Sequence, residues 1–120
     1  MQATRELVPE SWSERLEAIS EDLLNESVSI EIIDSPNPPM IEAEHLALQV
    51  LSYDRRNDAF EVAAAQGGSG MPSVLRHFVD HPTRIAVDSG TSLAPTTIVV
   101  DGRDGVRTVI RIGRDPVFTG

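Results

Sequence analysis

The feature that most constrains this chain is a series of short segments, from residue 28 to residue 112, in which apolar and polar residues alternate. Val28-Ser29-Ile30-Glu31-Ile32 is one example. Successive side chains of a β-strand point to opposite faces, so this alternation is typical of strands with one buried and one solvated face. Turn residues separate the segments. The pattern therefore predicts a half-buried antiparallel sheet.

A helix precedes the alternating region. Trp12, Leu16, Ile19 and Leu23 recur at spacings of four, three and four residues, which places them on one stripe of a helix. Pro9 suits the first helical turn, where its missing N–H is not needed. The stripe predicts that this helix packs against the sheet through Trp12.

The remaining elements follow from turn residues between apolar runs. We expect about six strands, with a phase slip near His45 that indicates a β-bulge or a turn, and a short second helix over 74–79 that ends before Pro82. The predicted fold class is α+β: an N-terminal helix packed on a curved, mostly antiparallel sheet. We predict one domain over residues 1–120, with a flexible segment at about 66–71 and frayed termini at about 1–6 and 114–120.

Composition excludes several classes of protein. The chain has 120 residues, a formal net charge of −9 and no cysteine, so disulfides and thiolate chemistry are ruled out. An acidic protein repels phosphate backbones, and we expect no nucleic-acid partner. No apolar run has the length of a signal peptide or of a membrane span, so we expect a cytoplasmic protein that does not bind membranes.

One motif resembles a catalytic signature. Asp88-Ser89-Gly90 follows the apolar run Ile85-Ala86-Val87, as in the Asp-Ser/Thr-Gly loop of aspartic proteases of the retroviral type. Such a site needs two carboxylates that share a proton, so a short chain would have to dimerise to bring two copies of Asp88 together. The chain between Gly90 and Ile112 is too short for the flap and strands of that fold, which favours an ordinary turn at Asp88.

The three histidines are a second set of candidate site residues. His77 and His81 would share one face of the predicted short helix, His45 could complete a metal site, and Asp80 could orient a ring. Two ligands without a fixed third do not hold zinc, so we assign no metal and no cofactor. A related alternative is a hydrolase that pairs a histidine with Asp54, Asp58, Asp80 or Asp88.

Several segments together resemble a small bacterial family of unknown function found in short standalone proteins. They include Trp12 in the first helix, Ser52-Tyr53-Asp54, His81-Pro82 before a strand, and Asp101-Gly102 before an arginine-bearing strand. The resemblance covers almost the whole chain. It implies no activity and no catalytic residues.

The sequence therefore favours a non-catalytic binding or interaction module over an enzyme. The partner would be another protein or a small ligand, and a homodimer joined through a sheet edge is one arrangement to test. The alternatives are an aspartic protease acting through Asp88-Ser89-Gly90 and a metal-assisted enzyme using histidine and aspartate.

Overall fold

A computed structural model describes residues 4–66, 74–90 and 95–113. Within them lie one α-helix, a short 3-10 turn at Pro9–Ser11 and eight strands that form a single sheet. The elements are β1 Thr4–Glu6, α1 Trp12–Asp22, β2 Ser27–Ile33, β3 Met40–Asp54, β4 Ala59–Ala65, β5 Val74–Asp80, β6 Pro82–Asp88, β7 Thr96–Gly102 and β8 Arg107–Ile112. The order across the sheet is β1-β6-β7-β8-β2-β3-β4-β5, and every pair is antiparallel.

The predicted fold class is therefore wrong. The described residues form a mostly β protein with eight strands, and not an α+β protein with a helix on six strands. The two additional strands lie in segments for which the sequence predicts a frayed terminus and a helix. Thr4–Glu6, within the segment predicted to fray, pairs with β6, and Val74–Asp80, which contains the predicted second helix, is β5.

The segment 74–79 forms a strand because its side chains alternate between the interior and the solvent, which allows it to pair with β4. Leu75, His77 and Val79 point to the interior, whereas Val74 and Phe78 point outward. Valine and phenylalanine favour strands, and seven residues pair in register with β4. The apolar run is too short for periodicity alone to separate helix from strand.

The sheet is strongly curved from one edge strand to the other. β5 is last and β6 second in the strand order, yet only His81 joins them. Residues from strands at both ends of the order consequently share one core, which includes Phe60, Ile85, Ile98 and Ile110. His77 Nε2 of β5 also lies 3.3 Å from Thr108 Oγ1 of β8, although these two strands are not neighbours in the sheet.

Helix α1 contributes Trp12 and Leu16 to this core, and both side chains are buried. Trp12 Nε1 donates to the Leu7 carbonyl oxygen at 3.2 Å, and its ring meets Tyr53 edge-on with centroids 5.1 Å apart. The helix contacts β3, which carries Tyr53. Among the described residues, there is no helix with the length and hydrophobicity needed to cross a bilayer.

The phase slip near His45 corresponds to an irregularity within one long strand. β3 runs unbroken through fifteen residues, but its pairing with β2 shifts between Val28 and Ile30, opposite Leu46 and Ala43. His45 adopts a φ of 57° there. A bulge thus changes which residues face the core, as the alternation indicated, without ending the strand.

Candidate interaction site

Strand β5 lies at one edge of the sheet and pairs only with β4 among the described residues. Two of its large apolar side chains are exposed: Val74 keeps 56% and Phe78 49% of its accessible surface. Isolated exposed apolar residues are ordinary on protein surfaces, but here both lie on one edge strand. An edge strand with free main-chain groups is a template for pairing with another chain.

The hydrogen bonds of the adjoining turn show which main-chain groups of β5 have no partner within residues 4–66, 74–90 and 95–113. The amide of His81 donates to the carbonyl oxygen of Asp58 at 2.7 Å, in the same register that pairs Ala59 with Asp80. Because antiparallel pairs alternate between bonded and non-bonded, the residues of β5 that bond to β4 are Leu75, His77 and Val79. The N–H and C=O groups that point away from β4 then belong to Val74, Arg76, Phe78 and Asp80.

The outer face of β5 combines apolar and charged groups. Arg76 Nε donates to Glu61 Oε2 of β4 at 2.6 Å, and the Arg76 guanidinium carbon lies 5.2 Å from the centroid of the Phe78 ring. Arg76 nevertheless remains largely exposed. The free edge therefore presents Val74 and Phe78 with a cation between them and a carboxylate, Asp80, at the end of the strand.

A hollow of about 190 Å³ lies between β5 and the turn that joins β7 to β8. It is lined by His77, Phe78, Val79, Asp80, Asp104, Val106 and Thr108. His77 is half-buried there, and burial lowers the pKa of its imidazole although the charge of Glu42 opposes the shift. Desolvation rather than a specific partner thus perturbs this histidine.

Next to the edge, three side chains join the β3–β4 turn to the β5–β6 connection; we call Tyr53, Asp58 and His81 the turn junction. Tyr53 Oη donates to Asp58 Oδ1 at 2.6 Å. His81 Nδ1 lies 3.0 Å from Asp58 Oδ2 and donates, because an ionised carboxylate only accepts. Asp58 and His81 have φ angles of 50° and 53°, which are uncommon for residues other than glycine.

The electrostatics of the turn junction follow from these bonds. The hydrogen bonds from Tyr53 and His81 lower the pKa of Asp58, and the bond to Asp58, with burial, raises the pKa of Tyr53 to about 12. An aspartate that orients a histidine is one part of a nucleophilic site. Within the described part of the chain, however, no hydroxyl is hydrogen-bonded to the second ring nitrogen of His81. The bonds instead hold two left-handed turn residues together and fix where β5 ends.

The histidines are not arranged as the sequence analysis predicted for a metal site. His77 and His81 do not share a helix face, because His77 points inward from β5 and His81 lies in the following turn. His45 lies on β3, with its Nε2 3.6 Å from Glu44 Oε1. Among the described residues, no three histidine, aspartate or glutamate side chains form a group that could hold a metal ion.

The candidate aspartates also lie apart from one another. Asp88 ends β6, opposite Thr4 and Thr97, and its Oδ1 is buried without a hydrogen-bond partner among the described residues. Asp80 ends β5 on the exposed edge. Asp54 accepts hydrogen bonds within its own turn, chiefly from Asn57, which lowers its pKa. Of the acid–histidine pairs considered from the sequence, the structure brings Asp58 and His81 into contact.

The chain matches the model of a family described as a family of unknown function (DUF5335) over residues 3–117. It belongs to this family. An uncharacterised protein from the bacterium Aquifex aeolicus is 29% identical over 110 residues, which cover 92% of each chain. No solved structure shows a significant match. These findings confirm the resemblance to a bacterial family of unknown function.

Sequence reasoning missed the part of Tyr53 in the turn junction and the position of β5 at an edge. The first was not visible because Tyr53 reaches Asp58 across a turn. The second was not visible because the position of a strand in the sheet depends on the strand order, and central strands such as Thr96–Gly102 also carry apolar residues on both faces.

Proposed function

We propose that the protein is an interaction module that accepts an extended strand along the free edge of β5. The observation that carries the proposal is that one edge strand combines outward main-chain groups with the exposed side chains of Val74 and Phe78. Main-chain hydrogen bonds would supply affinity, and alternate side chains would supply specificity, as in other strand-addition complexes.

The composition supports a protein partner. The net charge of −9 disfavours nucleic acid, and Arg76 and Asp80 give the edge one charge of each sign, which an extended peptide can match. A cytoplasmic location and the absence of membrane binding stay predictions from the sequence.

The turn junction supports the same function by fixing the end of the strand. Asp58 and His81 are joined by one main-chain and one side-chain hydrogen bond, so the connection after Asp80 is held in place. An edge that is ordered before binding loses less conformational entropy when a partner strand pairs with it.

The proposal can be tested with a synthetic peptide that carries residues 74–80 of this chain. Titrated into the isotope-labelled protein, it should shift the amide resonances of Val74, Arg76, Phe78 and Asp80 more than those of β1, and saturably. Amide exchange at those four residues should slow in the complex, because their free N–H groups become bonded.

A peptide of the same length with proline at the positions equivalent to 76 and 78 is the control. It keeps most of the apolar side chains but lacks two of the required donors. If both peptides shift the same resonances equally, or if neither shifts those of β5, strand addition at this edge is wrong.

A further inference from the structure

We infer that the strand which pairs with β5 is β5 of a second copy of this chain, and that the two-fold axis passes between the two copies of Phe78. This inference rests on the proposed function and adds the identity of the partner and the register. It follows from which main-chain groups are free and which side chains flank them.

The free main-chain groups restrict the register. In an antiparallel pair across a two-fold axis, outward residues must lie opposite outward residues so that both exchange N–H···O bonds. The outward residues are Val74, Arg76, Phe78 and Asp80. Registers that pair these residues with one another near the middle of β5 place the two-fold axis at Arg76, His77 or Phe78.

Side-chain chemistry separates these three registers. An axis at Arg76 places two guanidinium groups opposite each other, which is unfavourable. An axis at His77 places Arg76 opposite Phe78 and leaves the carboxylate of Asp80 opposite the apolar Val74.

An axis at Phe78 pairs aromatic rings with each other and charged groups with groups of the opposite charge. The two Phe78 rings then lie opposite each other, and Arg76 of each copy lies opposite Asp80 of the other. Aromatic and opposite-charge cross-strand pairs both stabilise a sheet relative to alanine pairs. The single bond of Arg76 to Glu61 through Nε leaves other guanidinium N–H groups for the second carboxylate.

The interface is short, since five residues from each copy pair in this register. Stable interfaces bury about 1,600 Å² in total, and one short strand pair buries less. We therefore expect a reversible dimer with a Kd of about 1 μM or weaker, which is populated only at high protein concentration.

Sedimentation velocity of the full chain over a wide concentration range tests the dimer. The protein should shift from monomer to dimer as concentration rises, and Phe78→Lys should remain monomeric because two added charges would face each other. Leu24→Lys is the matched control: Leu24 is also 49% exposed, but it lies in the turn after α1. It should dimerise as the unmodified chain does.

The register is tested by disulfide cross-linking, which is clean because the chain has no cysteine. Opposed bonded residues have Cα atoms about 5.5 Å apart, within the range for a disulfide, so Phe78→Cys should form a covalent dimer on mild oxidation. His77→Cys should not, because residues 77 of the two copies would be diagonal neighbours about 7–8 Å apart. Cross-linking through residue 77 instead would overturn this register.

The two proposals fail differently. If the chain stays monomeric at all concentrations while the 74–80 peptide still shifts the β5 resonances, the second copy is not the partner, but β5 accepts strands. If the dimer forms and Phe78→Lys and Leu24→Lys weaken it equally, the contact lies elsewhere and the inference is wrong.

Discussion

The two edges of the sheet are built differently. β1 is three residues long, and all three are exposed and polar. Glu6 of β1 accepts a hydrogen bond from Arg84 of β6 at 2.8 Å, so the edge carries charge and an ion pair. β5 is seven residues long and exposes Val74 and Phe78.

Natural proteins protect sheet edges with short strands and charged residues, and β1 has both features. At β5, one ion pair to Glu61 accompanies two large exposed apolar side chains. β1 thus has the features that protect an edge against pairing, whereas β5 is longer and more apolar. The following predictions test whether the apolar residues of β5 serve the fold or a partner.

The largest expected effect comes from two phenylalanines on neighbouring strands. Phe60→Ala should lower the free energy of unfolding by about 3–5 kcal/mol, because Phe60 is fully buried opposite Val79. Phe78→Ala should change it by about 0.5 kcal/mol or less, as expected for a surface position. Chemical denaturation at a concentration where the chain is monomeric measures both. A loss of several kcal/mol for Phe78→Ala would mean that the edge residue supports the fold itself.

The next prediction concerns the attachment of the protected edge. Leu7, which follows β1, is buried; its amide donates to the Ile85 carbonyl oxygen at 2.8 Å, and its own carbonyl oxygen accepts from Trp12. Leu7→Ala should cost about 2–5 kcal/mol and should speed amide exchange in β6 more than in β4. Equal acceleration in both strands would show that β1 is not anchored separately.

The sequence predicts the elements better than their arrangement. The helical stripe at Trp12 and Leu16 and the alternation after residue 28 depend on local periodicity, which is readable from one segment at a time. The curl of the sheet depends on pairings between distant strands, such as β2 with β8. The helix predicted over 74–79 is wrong because a short apolar run fits either period, and pairing with β4 makes this segment a strand.

The candidate site was less accessible to sequence reasoning than the elements were. Asp58 and His81 are both candidates from the sequence, but they lie 23 positions apart, and their contact requires that the β3–β4 turn and the β5–β6 connection lie side by side. An edge strand is a property of the strand order, which alternation does not encode. Apolar residues on both faces of 74–80 do not reveal the edge either, because Thr96–Gly102 and Arg107–Ile112 share that pattern in the middle of the sheet.

A third prediction tests whether the turn junction holds the end of β5. The chain contains one tyrosine, so its ultraviolet titration reports Tyr53 alone. The midpoint should lie at about 12 and should fall toward about 10 in Asp58→Asn, which removes the carboxylate that accepts from Tyr53 Oη. A midpoint that is unchanged by the substitution would show that Asp58 does not bind Tyr53 in solution.

The same junction sets a dependence of stability on pH. Because the pKa of Asp58 is lowered in the folded state, its ionised form stabilises the fold above its ordinary pKa of 3.8, and this contribution is lost as pH falls through the lowered value. The raised pKa of Tyr53 acts at the other end: its contribution is present below about pH 10 and is lost as pH rises through about 12. The stability difference between the unmodified chain and Asp58→Asn should therefore shrink in acid.

The smallest expected effect is at the charged edge. Glu6→Gln removes the ion pair between Glu6 and Arg84. Because both side chains are well exposed, the substitution should lower the free energy of unfolding by at most about 1 kcal/mol. The loss should diminish further in high salt, because screening weakens exposed pairs. The informative readout is association: if the charge of β1 protects that edge, Glu6→Gln together with Arg5→Val should produce oligomers larger than a dimer. If the double variant forms only the dimer of the unmodified chain, the shortness of β1, and not its charge, is what protects this edge.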